Sequence, residues 1–320
     1  MHALVTSLLI ATVPWDAAPT VPVQWLGSPP PARVARPARI VTLAPSATEF
    51  VAALGAADRL VAVSRYCDRP QSVLQLPKAG GFLDPNVEAV LSHRPQLVVA
   101  VANGGNRAAL DRIAGLGVPV LAVPGNSFAD TFHAGRAIAQ ALGGDAPKRG
   151  AALLKNIRAE IAALRDRHGG GRSPRVLFVY DHRPMVVAGP GSFADTILQV
   201  LNATNVVKIA SPYPQYAVEQ VIADRPDVIL DVVSEHVSAA GGGDFSKFTT
   251  IPAVRDGRVH RFAATSTMRA GPRLASAVRL VASYLYKGVD DQSAGAKSIS
   301  KPSTTGVSRA RPSSHKRKRK

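Results

Sequence analysis

The stretch VEAVLSHRPQLVVAV, Val87 to Val101, returns in altered form as VEQVIADRPDVILDV, Val218 to Val232, 131 positions later. The leading Val-Glu and the Arg-Pro pair keep their register in both copies. Each copy reads as a short helix, a break at Arg-Pro and a β-branched apolar run that suits a buried parallel strand. A chain that uses this helix-to-strand phrase twice is expected to be built from two like halves.

Working outward from the first copy, RIVTL (39 to 43), RLVAV (59 to 63), QLVVAV (96 to 101) and VPVLAV (118 to 123) read as strands separated by Ala/Leu-rich helical stretches. That alternation is the pattern of a parallel sheet with crossover helices. Around the second copy, RVLFVY (175 to 180), DVILDVV (227 to 233) and RVHRF (258 to 262) repeat it. Between the halves, Pro147 suits a first helical position, and Leu154, Ile157, Ile161 and Leu164 recur three and four apart. One helix from Ala146 to His168, roughly 34 Å long, is therefore expected to bridge two lobes. Ser46 to Glu49 and Ser192 to Asp195 each have the form of a helix-capping box, a second echo between the halves. The expected fold class is α/β, with two Rossmann-like lobes of parallel sheet joined by a single long backbone helix. The boundaries read as 39–144 for the N-terminal lobe, 145–171 for the linker helix and 172–287 for the C-terminal lobe.

The flanks differ from this body. The formal charge is +17 over 320 residues, yet residues 287 to 320 hold ten Lys/Arg against two Asp, so the tail alone supplies +8. Residues 288–320 lack the apolar content that offsets ordering entropy and read as a disordered basic tail. Its HKRKRK end suits contact with an anionic envelope or nucleic acid, with a solvated extension as the plainer reading. At the other end, the apolar run Ala3 to Val13 followed by Ala17 and Ala18 reads as a signal peptide over 1–18, although no Lys or Arg precedes it. Residues 19–38, with LGSPPPARVARPA, read as a Pro-rich linker. The single cysteine, Cys67, excludes an internal disulfide.

Ligands of open parallel sheets bind beyond the carboxyl ends of the strands. Tyr66, Phe82, Tyr180, Tyr213 and Tyr216 are all placed by sequence in loops or at strand ends. Rigid rings of this kind suit a bulky or flat ligand better than a bare ion. Arg269, after the last strand, suits an anionic or amide group, and Asp68 reads as a ligand contact or a turn residue. The Asn103 to Asn106 loop, the Asp181-His182-Arg183 segment and Thr265 to Arg269 are further cleft candidates. The chain has no G-x-G-x-x-G after its first strand, no G-x-x-x-x-G-K-[ST] and no G-x-S-x-G. Its eight His show no metal-binding spacing, although His182, His236 or a Tyr could ligate the iron of a bound haem.

From Arg39 to Tyr286 the chain resembles the substrate-binding proteins of ABC importers for cobalamin, haem and ferric siderophores, the helical-backbone metal receptor superfamily. The resemblance is carried by RIVTLAPSATEFVAALGAADRLVAVSRYCDRP, GGFLDPNVEAVLSHRPQLVVA and PYPQYAVEQVIADRPDVIL. It implies a non-enzymatic, periplasmic or otherwise extracytoplasmic receptor with no resident cofactor, whose ligand is itself a cobalt or iron chelate. It also implies an ABC permease dimer with its ATPase as partner, docked through Glu88 and Glu219, one on each lobe. The cobalamin binders are the nearest likeness. Tyr66 and Arg269 match ligand-contacting positions there, Phe82 and Tyr213 stand where those proteins carry Trp, and TSTMR lacks their acidic residue. Haem or a ferric siderophore is the alternative ligand. A different class of reading is a two-lobed Rossmann-like enzyme such as a sugar-nucleotide transferase, with phosphate held at a helix N-terminus near Ser46 or Ser192. A third is a protein acting through its basic tail.

Overall fold

The computed structural model describes residues 17–28, 36–169, 172–233, 244–263 and 268–286. The apolar run before Ala17, His236, Thr265 to Thr267 and the basic tail lie outside these. The described residues up to Leu285 form one compact unit.

The first lobe runs β1 (Gln24–Leu26), β2 (Ile40–Thr42), α1 (Pro45–Ala53), β3 (Leu60–Val63), α2 (Val87–Ser92), β4 (Leu97–Val101), α3 (Arg107–Gly115), β5 (Val120–Val123) and α4 (Phe128–Leu142). The bridging helix α5 (Ala146–His168) follows. The second lobe runs β6 (Arg175–His182), β7 (Met185–Val187), α6 (Phe193–Val200), β8 (Thr204–Asn205), α7 (Val218–Asp224), β9 (Val228–Val233), α8 (Pro252–Arg255), β10 (Val259–Ala263) and α9 (Leu274–Leu285).

The first sheet has the order β1-β5-β4-β2-β3, parallel except at β1. Every residue of β2, β4 and β5 is buried, as expected of parallel strands covered on both faces. The second sheet has the order β10-β9-β6-β7, with β8 also pairing with β6 and only β7 antiparallel. Both lobes are thus mixed, mostly parallel α/β layers. The stretch expected as a Pro-rich linker is partly sheet. Trp25 and its neighbours pair with Val120 to Ala122, because the outer edge of β5 offers unpaired backbone groups to the incoming chain.

The duplicated phrase folds alike twice. α2 feeds β4 and α7 feeds β9, and Val90 and Val221, at the same place in each copy, are completely buried. Arg94 and Arg225 both adopt φ 45°, the left-handed region, and the prolines after them cannot continue a helix. The register of Arg-Pro is therefore a helix stop, used where glycine is the commoner residue.

Along α5 the buried positions Gly150, Leu154, Ile157, Ile161, Leu164 and His168 make one stripe. The helix packs on α4 in the first lobe and on α9 and α6 in the second. Gly135 of α4 and Gly150 of α5 allow the close approach. A Cβ on Gly135 would stand 2.8 Å from the Phe50 ring, and one on Gly150 2.7 Å from Ala139 Cβ. Arg279 of α9 pairs with Glu160 of α5 at 2.6 Å.

The box expected at Ser46 to Glu49 is not formed. Pro45 occupies the first turn, Ala44 is the cap residue without a side-chain bond, and Ser46 already lies inside α1. Glu49 instead reaches the other lobe, accepting from Arg273 Nε at 2.8 Å and Nη2 at 2.7 Å. The Ser192 cap does form, with Ser192 Oγ accepting from the Asp195 N–H at 3.1 Å. Its true counterpart is Ser127, whose capping box with Asp130 opens α4. The two caps share the sequence SFADT, at 127–131 and 192–196.

The left-handed arginines generate a stability prediction. Both side chains are exposed, so Arg225→Gly, and separately Arg94→Gly, should relieve backbone strain and stabilise the fold by up to about 1 kcal/mol. An increase in the urea midpoint at unchanged slope is the expected reading, whereas Arg225→Val should lower it.

Candidate functional site

A cavity of ≈ 290 Å³ lies where the two sheets present their carboxyl ends to each other. The first lobe contributes Pro45 and Ser46 at the start of α1, Phe82, Val101 at the end of β4, and Gly125 and Asn126 ahead of α4. From the second lobe come Tyr180 near the end of β6, Phe193 at the start of α6, Tyr213, and the segment Met268 to Ala270. Strand ends and helix starts converge here because every β-to-α crossover leaves the sheet on this side.

The walls are aromatic and mutually braced. The Tyr180 and Tyr213 rings meet edge to face with centroids 5.6 Å apart, and Phe178 backs Tyr180 at 5.1 Å. Phe128 and Phe193, the first residues after the two SFADT caps, meet across the lobes at 5.3 Å. Burial pushes the Tyr180 phenol well above its ordinary value, as does the neighbouring Tyr213, against a hydrogen bond from the Ala194 backbone. Burial likewise raises Tyr213, opposed by the Phe193 backbone. Both phenols are therefore neutral donors at physiological pH.

The loop that carries Tyr213 is laid against β7. Val187 N–H donates to Pro214 O at 3.1 Å, Gly189 N–H to Pro212 O at 3.0 Å, and Tyr216 N–H to Met185 O at 3.0 Å. In such an extended segment, residues three apart face opposite ways. Tyr213 is 52 % exposed and lines the cavity, while Tyr216 is 7 % exposed and belongs to the second lobe's core. Tyr216 is thus no part of the cleft wall, contrary to the expectation from sequence, and its hydroxyl donates to Asp224 on α7.

Tyr66, 45 % exposed, stands outside the cavity wall with the Arg65 guanidinium 5.6 Å from its ring. Two residues along the same loop, Asp68 faces Arg269 at 3.6 Å. Cys67 between them is buried, with its Sγ 3.0 Å from Thr48 Oγ1, and burial raises its thiol.

The Asn103 to Asn106 loop has a positioning task. Asn106 is buried and donates to Val101 O at 2.9 Å and to Phe82 O at 3.0 Å, tying the Phe82 loop to the end of β4. His182 Nε2 lies 2.8 Å from Asp231 Oδ1, and Arg261 holds Asp231 Oδ2 at 2.9 Å. That histidine is committed to a buried carboxylate. No group of three or more His, Cys, Asp or Glu able to hold a metal ion occurs among the described residues.

Glu88 and Glu219 are exposed in the first turns of α2 and α7. A carboxylate there complements the helix N-terminus, which gives each a local structural use. A larger groove of ≈ 440 Å³, between α4 and α5, is walled by helix sides such as Phe132, Leu154 and Lys155 and takes nothing from the second lobe's strand ends.

Phe193 and the Phe128 contact were not anticipated from sequence. The repeated SFADT would have pointed to both. The Asn103 to Asn106 loop was a cleft candidate from sequence, and Asn106 serves there by holding the Phe82 loop.

The site makes Gly189 a sensitive position. A Cβ there would stand 2.0 Å from Ser211 O and 3.0 Å from Pro214 Cδ. Gly189→Ala should destabilise the fold by about 1–3 kcal/mol and displace Tyr213. Denaturant unfolding and the fluorescence environment of the cleft tyrosines would check both effects.

The sequence profile of the periplasmic binding protein family matches residues 40–262. A vitamin B12-binding protein of Vibrio parahaemolyticus is 26 % identical over 241 residues, which are 75 % of this chain and 86 % of the relative. The crystal structure of the periplasmic vitamin B12 binding protein of Vibrio cholerae superposes with a TM-score of 0.67 at 27 % identity, covering 78 % of this chain and 96 % of that one. The periplasmic heme-binding protein BhuT, in complex with two hemes, superposes at 0.68 with 32 % identity, covering 77 % and 97 %. With two mostly parallel α/β lobes bridged by α5 and a cleft at their strand ends, the chain belongs to the periplasmic binding protein family.

Proposed function

We propose that the chain is an extracytoplasmic, non-enzymatic receptor that captures a corrinoid and delivers it to an ABC importer. The observation that carries this reading is the pair of aromatic walls, Phe82 from one lobe and Tyr180 with Tyr213 from the other, facing one cleft. Opposed rings offer large, rigid apolar contact to a flat macrocycle with little entropy lost. Arg269 in the wall supplies a polar contact that orients the ligand, with the exposed Tyr66 outside the wall as a second. The vitamin B12-binding relatives support the corrinoid choice. Because the ligand brings its own cobalt, the site needs no cluster of protein ligands.

A haem reading has its own support. Tyr213 is a half-exposed residue of the cleft wall whose phenol, once deprotonated, is a ligand type suited to ferric haem, and the heme-binding structure is 32 % identical. Calorimetric titration of the purified protein with cyanocobalamin, haemin and a ferric siderophore separates the cases. Saturable 1:1 binding of cyanocobalamin is expected. Haemin binding alone, with a shifted Soret band, would select the haem reading, and heat from none of the three would overturn both.

Glu88 and Glu219 are proposed as the carboxylates that dock on the permease, with the ATPase as the further partner. Reversing both charges, Glu88→Lys with Glu219→Lys, should leave the ligand Kd within about twofold, since neither residue is among those that line the cleft. Uptake through the permease in reconstituted vesicles should fall steeply.

A further inference from the structure

Arg269 is the cation of the cleft wall, and its immediate counter-charge comes from the opposite lobe. Arg269 Nη1 stands 3.6 Å from Asp68 Oδ1, close enough for an ion pair and too far for a hydrogen bond. Both atoms are buried, and neither has a hydrogen-bond partner among the described residues. The remainder of each side chain is about one-third exposed, 31 % for Arg269 and 36 % for Asp68. A donor in want of an acceptor thus lies beside an acceptor in want of a donor, at the edge of an aromatic cleft.

The exposed third of each side chain is what a ligand can reach, and a primary carboxamide complements both groups there. Its carbonyl oxygen accepts from the guanidinium while its NH2 donates to the carboxylate. A carboxylate in the same place accepts from Arg269 but brings a like charge against Asp68 with no proton to offer. We propose that Asp68 is a specificity-determining residue, which by neutralising Arg269 tunes the cleft to a macrocycle rimmed with neutral amides and against one rimmed with carboxylates. This rests on the corrinoid reading and refines it. Corrinoids carry peripheral carboxamides where haem carries propionates, so an uncompensated arginine would favour the wrong rim.

Asp68 and Arg269 also connect the lobes at the mouth of the cleft, whereas the Glu49–Arg273 pair, with hydrogen bonds of 2.7 and 2.8 Å, connects them behind it. The longer pair is the looser of the two, its facing donor and acceptor making no hydrogen bond.

The test compares cyanocobalamin with a cobalamin monocarboxylate, in which one peripheral amide is hydrolysed, on wild type, Asp68→Asn, Arg269→Gln and the double variant. Wild type should prefer the amide. Asp68→Asn should lower the amide-to-acid affinity ratio about tenfold, and the size of this change should differ severalfold in the Arg269→Gln background, because neighbouring charges are not additive. Thermal unfolding of each variant shows that the change is not loss of fold. A ratio unmoved by Asp68→Asn, or moved equally without Arg269, overturns the proposal while leaving corrinoid binding intact. Failure of wild type to bind either cobalamin overturns the reading beneath it.

Discussion

The whole site depends on one constraint, the rigidity of the single helix that carries the chain from lobe to lobe. Its 23 residues bury one continuous stripe, the first part against α4 and the rest against α9 and α6. Bending it would pull Gly150 from Ala139 and expose Leu154, Ile157 and Ile161. Two further ties act in the same sense, the bidentate Arg273–Glu49 pair between lobes and the Phe128–Phe193 contact. A cleft braced at these places presents its ligand with a surface that already exists. Aromatic side chains braced against one another suit such a surface, since little order remains to be bought on binding.

The second organising feature is duplication, and it acts at two levels. The phrase at Val87 and Val218 builds a helix-to-strand unit that feeds an interior strand of each sheet. SFADT builds the helix start at the cleft. In α4, Asp130 accepts from the N–H groups of Asn126 and Ser127 at 2.7 and 3.0 Å and from Thr20 Oγ1 at 2.6 Å. In α6, Asp195 accepts from the Gly191 N–H at 3.0 Å and from Asn205 Nδ2 at 2.9 Å. Both carboxylates spend themselves on their own loops and on one added segment. In α6 this takes up the phosphate position expected near Ser192, which is consumed as a cap, while Ser46, inside α1, lines the cleft.

The sequence was legible where one residue type settles one geometry. Pro147 at a first helical turn and an apolar stripe at three and four spacing place α5 at Ala146–His168, and unbroken β-branched runs place the central strands. It was illegible where the answer depends on direction. Tyr213 and Tyr216 are equivalent by composition and loop position. Only the pairing of their segment with β7 decides that one faces the cleft and the other the core. Glu49 reads as half of a cap until Pro45 is seen to occupy the first turn, after which its carboxylate is free to cross to Arg273. The edge strand Gln24–Leu26 was hidden for a similar reason, since three residues beside a Pro-rich stretch carry no periodicity of their own.

Phe82 and Tyr213, one on each lobe, stand six residues ahead of Glu88 and Glu219. In each case the aromatic residue lines the cavity and the carboxylate begins the following helix in the open. The intervening backbone is short and tied down. Gly81 N–H donates to Asp84 O at 3.1 Å and Asn86 N–H to Ala79 O at 3.1 Å on one side, while Pro214 and Tyr216 bond to β7 on the other. Each ring is therefore held at a set offset from its carboxylate by a few bonded residues rather than through the core. The register of Glu within the duplicated phrase thus repeats one arrangement in both lobes, an aromatic ring at the cleft and, six residues on, a carboxylate at an exposed helix start.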